Sequence, residues 1–330
     1  MRTTGFAVVA LAGVLAAWSP MSATAQSTNW NAYTFGPSDA LANVQGLRRV
    51  IQAIEKETDG QVRIRLNLAG SLPIKSTDIA QAVGEGTIQF GDDGFFLGAV
   101  PIAGVLRLPM LIANRDEFDK AEAIMRPYID RGFDKLGVVV LGRFNFPFQV
   151  AFSTKPLVQL QDFAGQKFRV TSPEQAEFVK RMRGVPITMG APEVPPGLQR
   201  GTVDGVFTAS AGGGKIWGDL LKSNYRLGVN YFDGVYLVNK AAFARLSPAN
   251  QQKVRAAVAR LAPSTTEQLF KEEGEVTTML RTKGMTITEA SAEQISEATR
   301  ALAPYWDQWA RERGPEASEA IKKVRDALRK

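Results

Sequence analysis

The sequence predicts an α/β protein built as two lobes, and three observations carry that expectation. From Asn31 to Asn239, amphipathic helical patterns alternate with short strand-like segments, the rhythm of a sheet with helices on its faces. That series is too long for one lobe, and the 330 residues, 45% hydrophobic and 22% charged, hold enough apolar material for two cores. Beyond Asn239 the pattern turns helical to the end, and these late helices are long and polar-faced, suited to bridging the lobes.

The elements follow in order. Asn31–Phe35 is a short strand, and 41–58 is a helix with Leu41, Val44, Leu47, Val50, Ile51 and Ile54 on one face, ended by Asp59-Gly60. Gln61–Leu68 (QVRIRLNL) alternates as a strand with one solvated face. Asp78–Glu85 is helical, and 86–90 leads into a strand that ends in Gly91-Asp92-Asp93-Gly94. A helix at 118–133 precedes the apolar strand 137–144, and a further extended piece covers 149–154. Strands at 166–170, 185–189 and 202–207 enclose helices at 173–183 and 193–199, with Pro195 and Pro196 tolerable only in a first turn. Tyr231–Asn239 is a strand. Ser247 caps a helix that Pro263 is expected to kink or divide, and a strand at 285–288 precedes two last helices from Ala292 onward. Parallel pairing is expected from the helix-strand rhythm.

Composition excludes much chemistry. With no cysteine and no histidine, Ser-His-Asp and Cys-His pairings, Cys/His zinc sites and disulfides cannot be built, which leaves carboxylates, lysine, tyrosine or an oxygen-ligated metal for catalysis. Residues 1–25 read as a cleaved secretory signal: Arg2, the apolar run 5–18, then Ala23-Thr24-Ala25. An anchor helix is the alternative, disfavoured because the run is short and no stop-transfer charges follow. The protein is therefore expected to be secreted, stabilised by packing rather than disulfide staples. The formal charge of +7 is modest and scattered, so nucleic acid is not an expected partner, and the basic C-terminal KKVRDALRK reads as a helix end.

One segment carries the chemistry. The strand 166–170 presents Arg169 at its carboxyl end, where open α/β sheets bind ligands, and a guanidinium can grip a carboxylate through two parallel hydrogen bonds. A solvated strand residue is the plainer alternative for an isolated arginine. The surrounding pattern, however, is G-x-K-x-R-V at Gly165–Val170, a Gly/Pro stretch at Gly184–Ile187, and E-V-x-x-x-L-Q-x-G-x-V-D-G at Glu193–Gly205. Upstream stand E-K-E-T-D-G at Glu55–Gly60, A-G-S-L at Ala69–Leu72 and Leu108-Pro109 ahead of a helix. This ordered series resembles the extracytoplasmic solute-binding proteins of TRAP (tripartite ATP-independent periplasmic) transporters, DctP type.

The resemblance implies a two-lobed periplasmic-binding-protein-like fold closing on a small organic acid, long C-terminal helices bridging the lobes, no catalysis and delivery to a TRAP membrane permease. It also implies that Arg169 pairs with the ligand carboxylate. Lobe boundaries are expected at 26–150 plus about 235–265 for the first, and 151–234 plus about 266–330 for the second. The sequence departs from the family in two places: Thr208 stands where an asparagine often follows V-D-G, and Phe148 and Gln149 stand near the place of a second arginine, with Arg143 upstream. These departures favour a monocarboxylate with an apolar or aromatic body. Phe95, Phe148 and Trp217 are expected nearest the ligand, and Trp30, Tyr33 and Thr34 are further candidates from the first strand.

The remaining motifs are weaker. Asp92 and Asp93 point to opposite faces if extended, so they are expected to serve turns or helix caps rather than acid-base or metal chemistry, although Asp93 stays a candidate for the cleft. Gly212-Gly213-Gly214-Lys215 lacks the spacing of a phosphate loop and reads as a flexible cleft loop. The expected ligand set is Arg169, Thr208, Gln149, Phe148, Phe95, Asp93, Trp217, Thr34 and Arg143, in a monomer without metal or cofactor. A C4-dicarboxylate or 2-oxo acid receptor is the alternative within the family. A secreted hydrolase using paired carboxylates is the alternative outside it, and no clear pair is visible.

Overall fold

The computed structural model describes residues 27–330; the secretory signal expected at 1–25 lies outside the described residues. The chain runs β1 (Thr28–Tyr33), α1 (Ala42–Glu57), β2 (Val62–Asn67), α2 (Ile79–Gly84), β3 (Phe90–Asp93), α3 (Arg115–Lys135), β4 (Val138–Ser153), β5 (Lys167–Val170), α4 (Pro173–Arg181) and β6 (Val185–Thr188). It continues through α5 (Val194–Gln199), β7 (Gly205–Thr208), α6 (Lys215–Trp217), β8 (Ser223–Asn239), α7 (Lys240–Ala244), α8 (Pro248–Thr282), β9 (Thr286–Glu289), α9 (Ala292–Arg313) and α10 (Pro315–Leu328). The strands join in the order β2-β1-β3-β8-β4-β7-β5-β6, with β9 added to β8.

Two lobes share that path because β4 and β8 are long, 16 and 17 residues. They pair antiparallel over their whole length. The 138–146 end of β4 lies beside the end of β8 that receives β3, while the 150–153 end pairs with β7. One half of the pair therefore completes β2-β1-β3, the other completes β7-β5-β6. Between them the register slips twice, at Phe146/Gln149 and Gln149/Ala151. Pro147 lies in that stretch and has no N–H to give a ladder, so the bulge falls where pairing is weakest.

Pairing is mixed rather than wholly parallel. β1 pairs parallel with β2 and β3, and β5 with β6 and β7, as the helix-strand rhythm requires. The β3–β8, β4–β7 and β4–β8 pairs are antiparallel, because the two crossing strands reach both lobes from opposite directions. β4 is also one strand where the sequence suggests two, and β8 starts at Ser223 rather than Tyr231. Its early half does alternate, with Tyr225, Leu227 and Val229 buried.

The C-terminal helices tie the lobes together. α8 is continuous from Pro248 to Thr282, so Pro263 does not divide it. The carbonyl that Pro263 leaves without a helical donor belongs to the exposed Ala259, where water can satisfy it. Near its middle α8 meets α1 through Gln268, which bonds Gln45 and Arg49, and near its end Glu273 pairs with Arg226 of β8. α9 leaves β9, receives Arg181 of α4 on the Ala301 carbonyl, and bonds Pro109 through Trp306 Nε1. α10 then packs against α3, with Arg131 on Glu316.

The sheet tolerates no side chain at Gly91 of β3, where a Cβ would lie 2.4 Å from the Tyr33 carbonyl oxygen of β1. A Cβ at Gly98 would meet nothing within 4 Å. Gly91→Ala is expected to cost more than about 2 kcal/mol in denaturant unfolding, with Gly98→Ala within about 0.5 kcal/mol of the parent; equal stabilities would refute this packing.

Candidate functional site

A cavity opens where the two register slips separate the lobes. Phe35, Gly36, Pro37, Leu41, Asn43 and Phe95 line it from the first lobe, and Phe146, Gln149 and Phe232 from the crossing strands. The second lobe adds Arg169, Thr171, Ala191, Thr208, Gly212, Gly213, Ile216 and Trp217. Above it the lobes touch: a Cβ on Gly190 would be 3.0 Å from the Ser76 hydroxyl, and one on Gly70 would be 3.5 Å from Pro192.

Arg169 is the one charged residue in that lining. It is the penultimate residue of β5, is 3% exposed, and donates from Nε to the Met189 carbonyl (3.1 Å) and from Nη1 to the Phe207 carbonyl (3.2 Å). Its guanidinium carbon sits 5.6 Å from the ring centres of both Phe95 and Trp217, so aromatic faces from the two lobes hold its plane. No carboxylate pairs with it among the described residues. Burial pulls its pKa down to about 10, against a smaller opposing pull from Glu193, and it stays cationic at neutral pH. A buried charge without a counter-ion is costly, so the site favours an incoming anion.

The walls are rigid and apolar. Phe35, Phe95 and Phe232 meet edge to face with centroids 5.7–5.9 Å apart, and Phe146 stands 5.4 Å from Phe232. Beneath Phe232 lies Arg107, fully buried, 4.3 Å from that ring and ion-paired to Asp233 at 2.7 Å. The Trp217 ring is pinned by the glycine loop, since a Cβ on Gly213 would fall 2.2 Å from it. Thr208 Oγ1 accepts from Gly213 N at 2.8 Å and donates to the Ala209 carbonyl, so its hydroxyl holds this loop as well as facing the cavity.

Of the nine residues expected from sequence, Arg169, Thr208, Gln149, Phe95 and Trp217 meet at the cavity. Four do not line it. Phe148 turns to the other side of β4 and packs against Tyr231 with ring centroids 4.1 Å apart, because the bulge at Pro147 brings Phe146 and Gln149, rather than Phe146 and Phe148, to one face. Arg143 is ion-paired to Asp130 of α3 and borders a separate polar cavity beside α8, so between the two replacements for the second arginine only Gln149 reaches the wall. Thr34 is fully buried, its Oγ1 accepting from Gly36 N. Trp30 and Tyr33 are likewise structural, Trp30 against Phe90 and Tyr33 bonding Ile74 and Gly70. Phe35, Phe146, Phe232 and Asn43 carried no sequence signal beyond apolar or helical patterning.

Asp93 does not reach the cavity. It accepts from Ala80 N at the start of α2 and from Phe95 N, the cap and turn service expected of the pair. Asp92 accepts from Phe35 N (3.3 Å) and Asn43 Nδ2 (3.2 Å). Among the described residues no group of three or more acidic side chains is placed to hold a metal. Nor is any described helix long and apolar enough to cross a membrane.

Burial pushes both carboxyls up to about 7. Each then keeps its proton in the folded chain where the unfolded one, near 3.8, has lost it. Their stabilising contribution is complete below the lower value and is lost as pH rises through the upper. The melting temperature is expected to fall between about pH 4 and 7, and to fall less in Asp92→Asn; an identical pH profile in the variant would contradict this.

Comparison with known proteins adds a family. Residues 38–312 match the family model DctP, described as bacterial extracellular solute-binding protein, family 7. The ectoine-binding periplasmic protein TeaA of Halomonas elongata is 26% identical over 308 residues, 86% of this chain and 85% of that one. The sialic acid-binding periplasmic protein SiaP of Vibrio cholerae is 24% identical over 210 residues, 57% of this chain and only 65% of that protein. DctP7 of Bordetella pertussis, an extracytoplasmic solute receptor binding pyroglutamic acid, superposes with a TM-score of 0.84 at 24% identity, over 91% of this chain and all of that one.

Proposed function

The chain belongs to family 7 of the bacterial extracellular solute-binding proteins, the DctP-type receptors of TRAP transporters, and we propose that it captures a small monocarboxylic acid between its lobes and hands it to a TRAP membrane permease. This is a family of binding proteins, not enzymes. The observation that carries the reading is the buried Arg169 guanidinium without a carboxylate partner, aimed at a cavity otherwise lined by aromatic and apolar side chains.

The acid's carboxylate replaces the missing counter-ion. Such a charge-assisted contact contributes about 1.5–3 kcal/mol, well short of the roughly 8 kcal/mol of micromolar binding, so the aromatic walls and lobe closure supply the rest. The lining holds one cation and no second one for a second carboxylate, which favours a monocarboxylate over a C4-dicarboxylate. The aromatic walls suit a small, compact body, and the pyroglutamic acid of the Bordetella receptor is a small monocarboxylic acid. Gln149 and Thr208 add polar contacts.

The two lobes are read as 26–150 plus about 235–265, and 151–234 plus about 266–330, with one adjustment: α10, packed on α3, goes with the first lobe. Residues 1–25 act as a cleaved secretory signal that delivers the chain to the periplasm, the compartment of the family. A monomer fits a receptor that must present both lobes to one permease.

The test is a thermal-shift screen over pyroglutamate, 2-oxo acids, aromatic acids and succinate, followed by calorimetry on the best responder. Because Arg169 lacks a counter-ion, Arg169→Met is expected to leave the unliganded melting temperature unchanged or raised while weakening the acid at least tenfold, the lower end of a charge-assisted bond. Undiminished affinity in the variant would remove the anchor, and a response to succinate alone would remove the monocarboxylate preference.

A further inference from the structure

Two amides in the cavity wall hold acceptors that the protein does not use. Asn43, in the first turn of α1, is 1% exposed, and its Nδ2 is committed to Asp92 at 3.2 Å. Its Oδ1 is buried with no partner. Gln149 is 3% exposed and commits its Nε2 to the Pro147 carbonyl at 3.3 Å, while its Oε1 makes no bond among the described residues. Each amide thus commits one of its two N–H donors to the protein and keeps its acceptor. The hydroxyls are spent too: Thr208 donates to the Ala209 carbonyl, and Thr171 donates to Gln175 Oε1. Arg169 is the charged donor in the wall, beside the indole N–H of Trp217, and a carboxylate takes it.

From this arrangement we infer that Asn43 is a specificity-determining residue that requires an N–H or O–H donor on the ligand, so that the occupant is a small acid bearing a lactam, amide or hydroxyl hydrogen as well as its carboxylate. The inference rests on the receptor reading and narrows its substrate class. The Asn43 oxygen is already buried and unpaired before a ligand enters; an acid with a wholly apolar body leaves it so, whereas an acid whose donor reaches it gains a bond that separates ligands of equal size. Rotating the amide would not rescue such a ligand. It would set the carbonyl of Asn43 against the Asp92 carboxylate and break the bond that Nδ2 makes there.

Two matched pairs of acids test it, measured by calorimetry on the full mature chain at pH 8, where Asp92 is ionised. Pyroglutamate is compared with its lactone analogue, in which a ring oxygen replaces the N–H without changing size. Phenyllactate is compared with phenylpropanoate, which lacks the hydroxyl. In each pair that binds, the donor-bearing acid is expected to be held at least tenfold more tightly, and Asn43→Ala is expected to shrink that ratio below threefold. Should Asn43→Ala fail to fold, Asp92→Asn serves instead. Its new amide can donate to the Asn43 carbonyl, freeing the Asn43 N–H to face the cavity, and the preference should shrink or reverse. Equal binding within the pairs in the parent chain overturns the inference while leaving the receptor reading intact. Failure of every acid, in these pairs and in the wider screen, removes both.

Discussion

A guanidinium held inside the protein without an anion is the constraint on which the rest of the molecule depends. Arg169 is 3% exposed, and its two recorded partners, the Met189 and Phe207 carbonyls, are neutral. Partial negative charge from carbonyls and the faces of Phe95 and Trp217 keep it cationic, but they do not discharge it. The fold therefore carries an unsatisfied electrostatic demand at one point, and a carboxylate from outside is the simplest group that meets it.

Everything around that point holds it in place. β5 delivers Arg169 at its carboxyl end, where β6 and β7 flank it in parallel. Trp217 comes from the second lobe and Phe95 from the first, so the cation stands at the junction and reports on the lobes' approach. β4 and β8 cross that junction, and their register slips place Phe146 and Gln149 on the wall. α8 runs over both lobes and clasps the loop around Ala211 through Glu273, which accepts from Ala211 N at 2.9 Å.

Much of this was legible in the sequence, and the illegible part has a physical cause. Arg169 could be found because a strand end, a family pattern and a guanidinium coincide there. Helices α1, α2 and α4 were readable within a residue or two, since amphipathic spacing and breakers such as Asp59-Gly60 are local signals. Phe148 was misplaced because a bulge reverses the faces of a strand, and a bulge depends on the partner strand's register rather than on local composition. Arg143 was misplaced because Asp130 lies on a helix packed against β4, a contact that only the tertiary fold creates. Asn43 looked like an ordinary residue in the first turn of a helix; its unpartnered oxygen appears only when β3 brings Asp92 beneath it. The absence of histidine and cysteine, read first as a list of excluded reactions, fits a site whose one charged group keeps its charge across the pH range of the compartment.

The most direct test of the account is a crystal structure of the mature chain with the acid that raises its melting temperature most. The account predicts the ligand carboxylate within about 3 Å of the Arg169 guanidinium nitrogens, the length of a charge-assisted bond, with the ligand body against Phe95 and Trp217. A ligand whose carboxylate is held elsewhere, with Arg169 still unpaired, would contradict it.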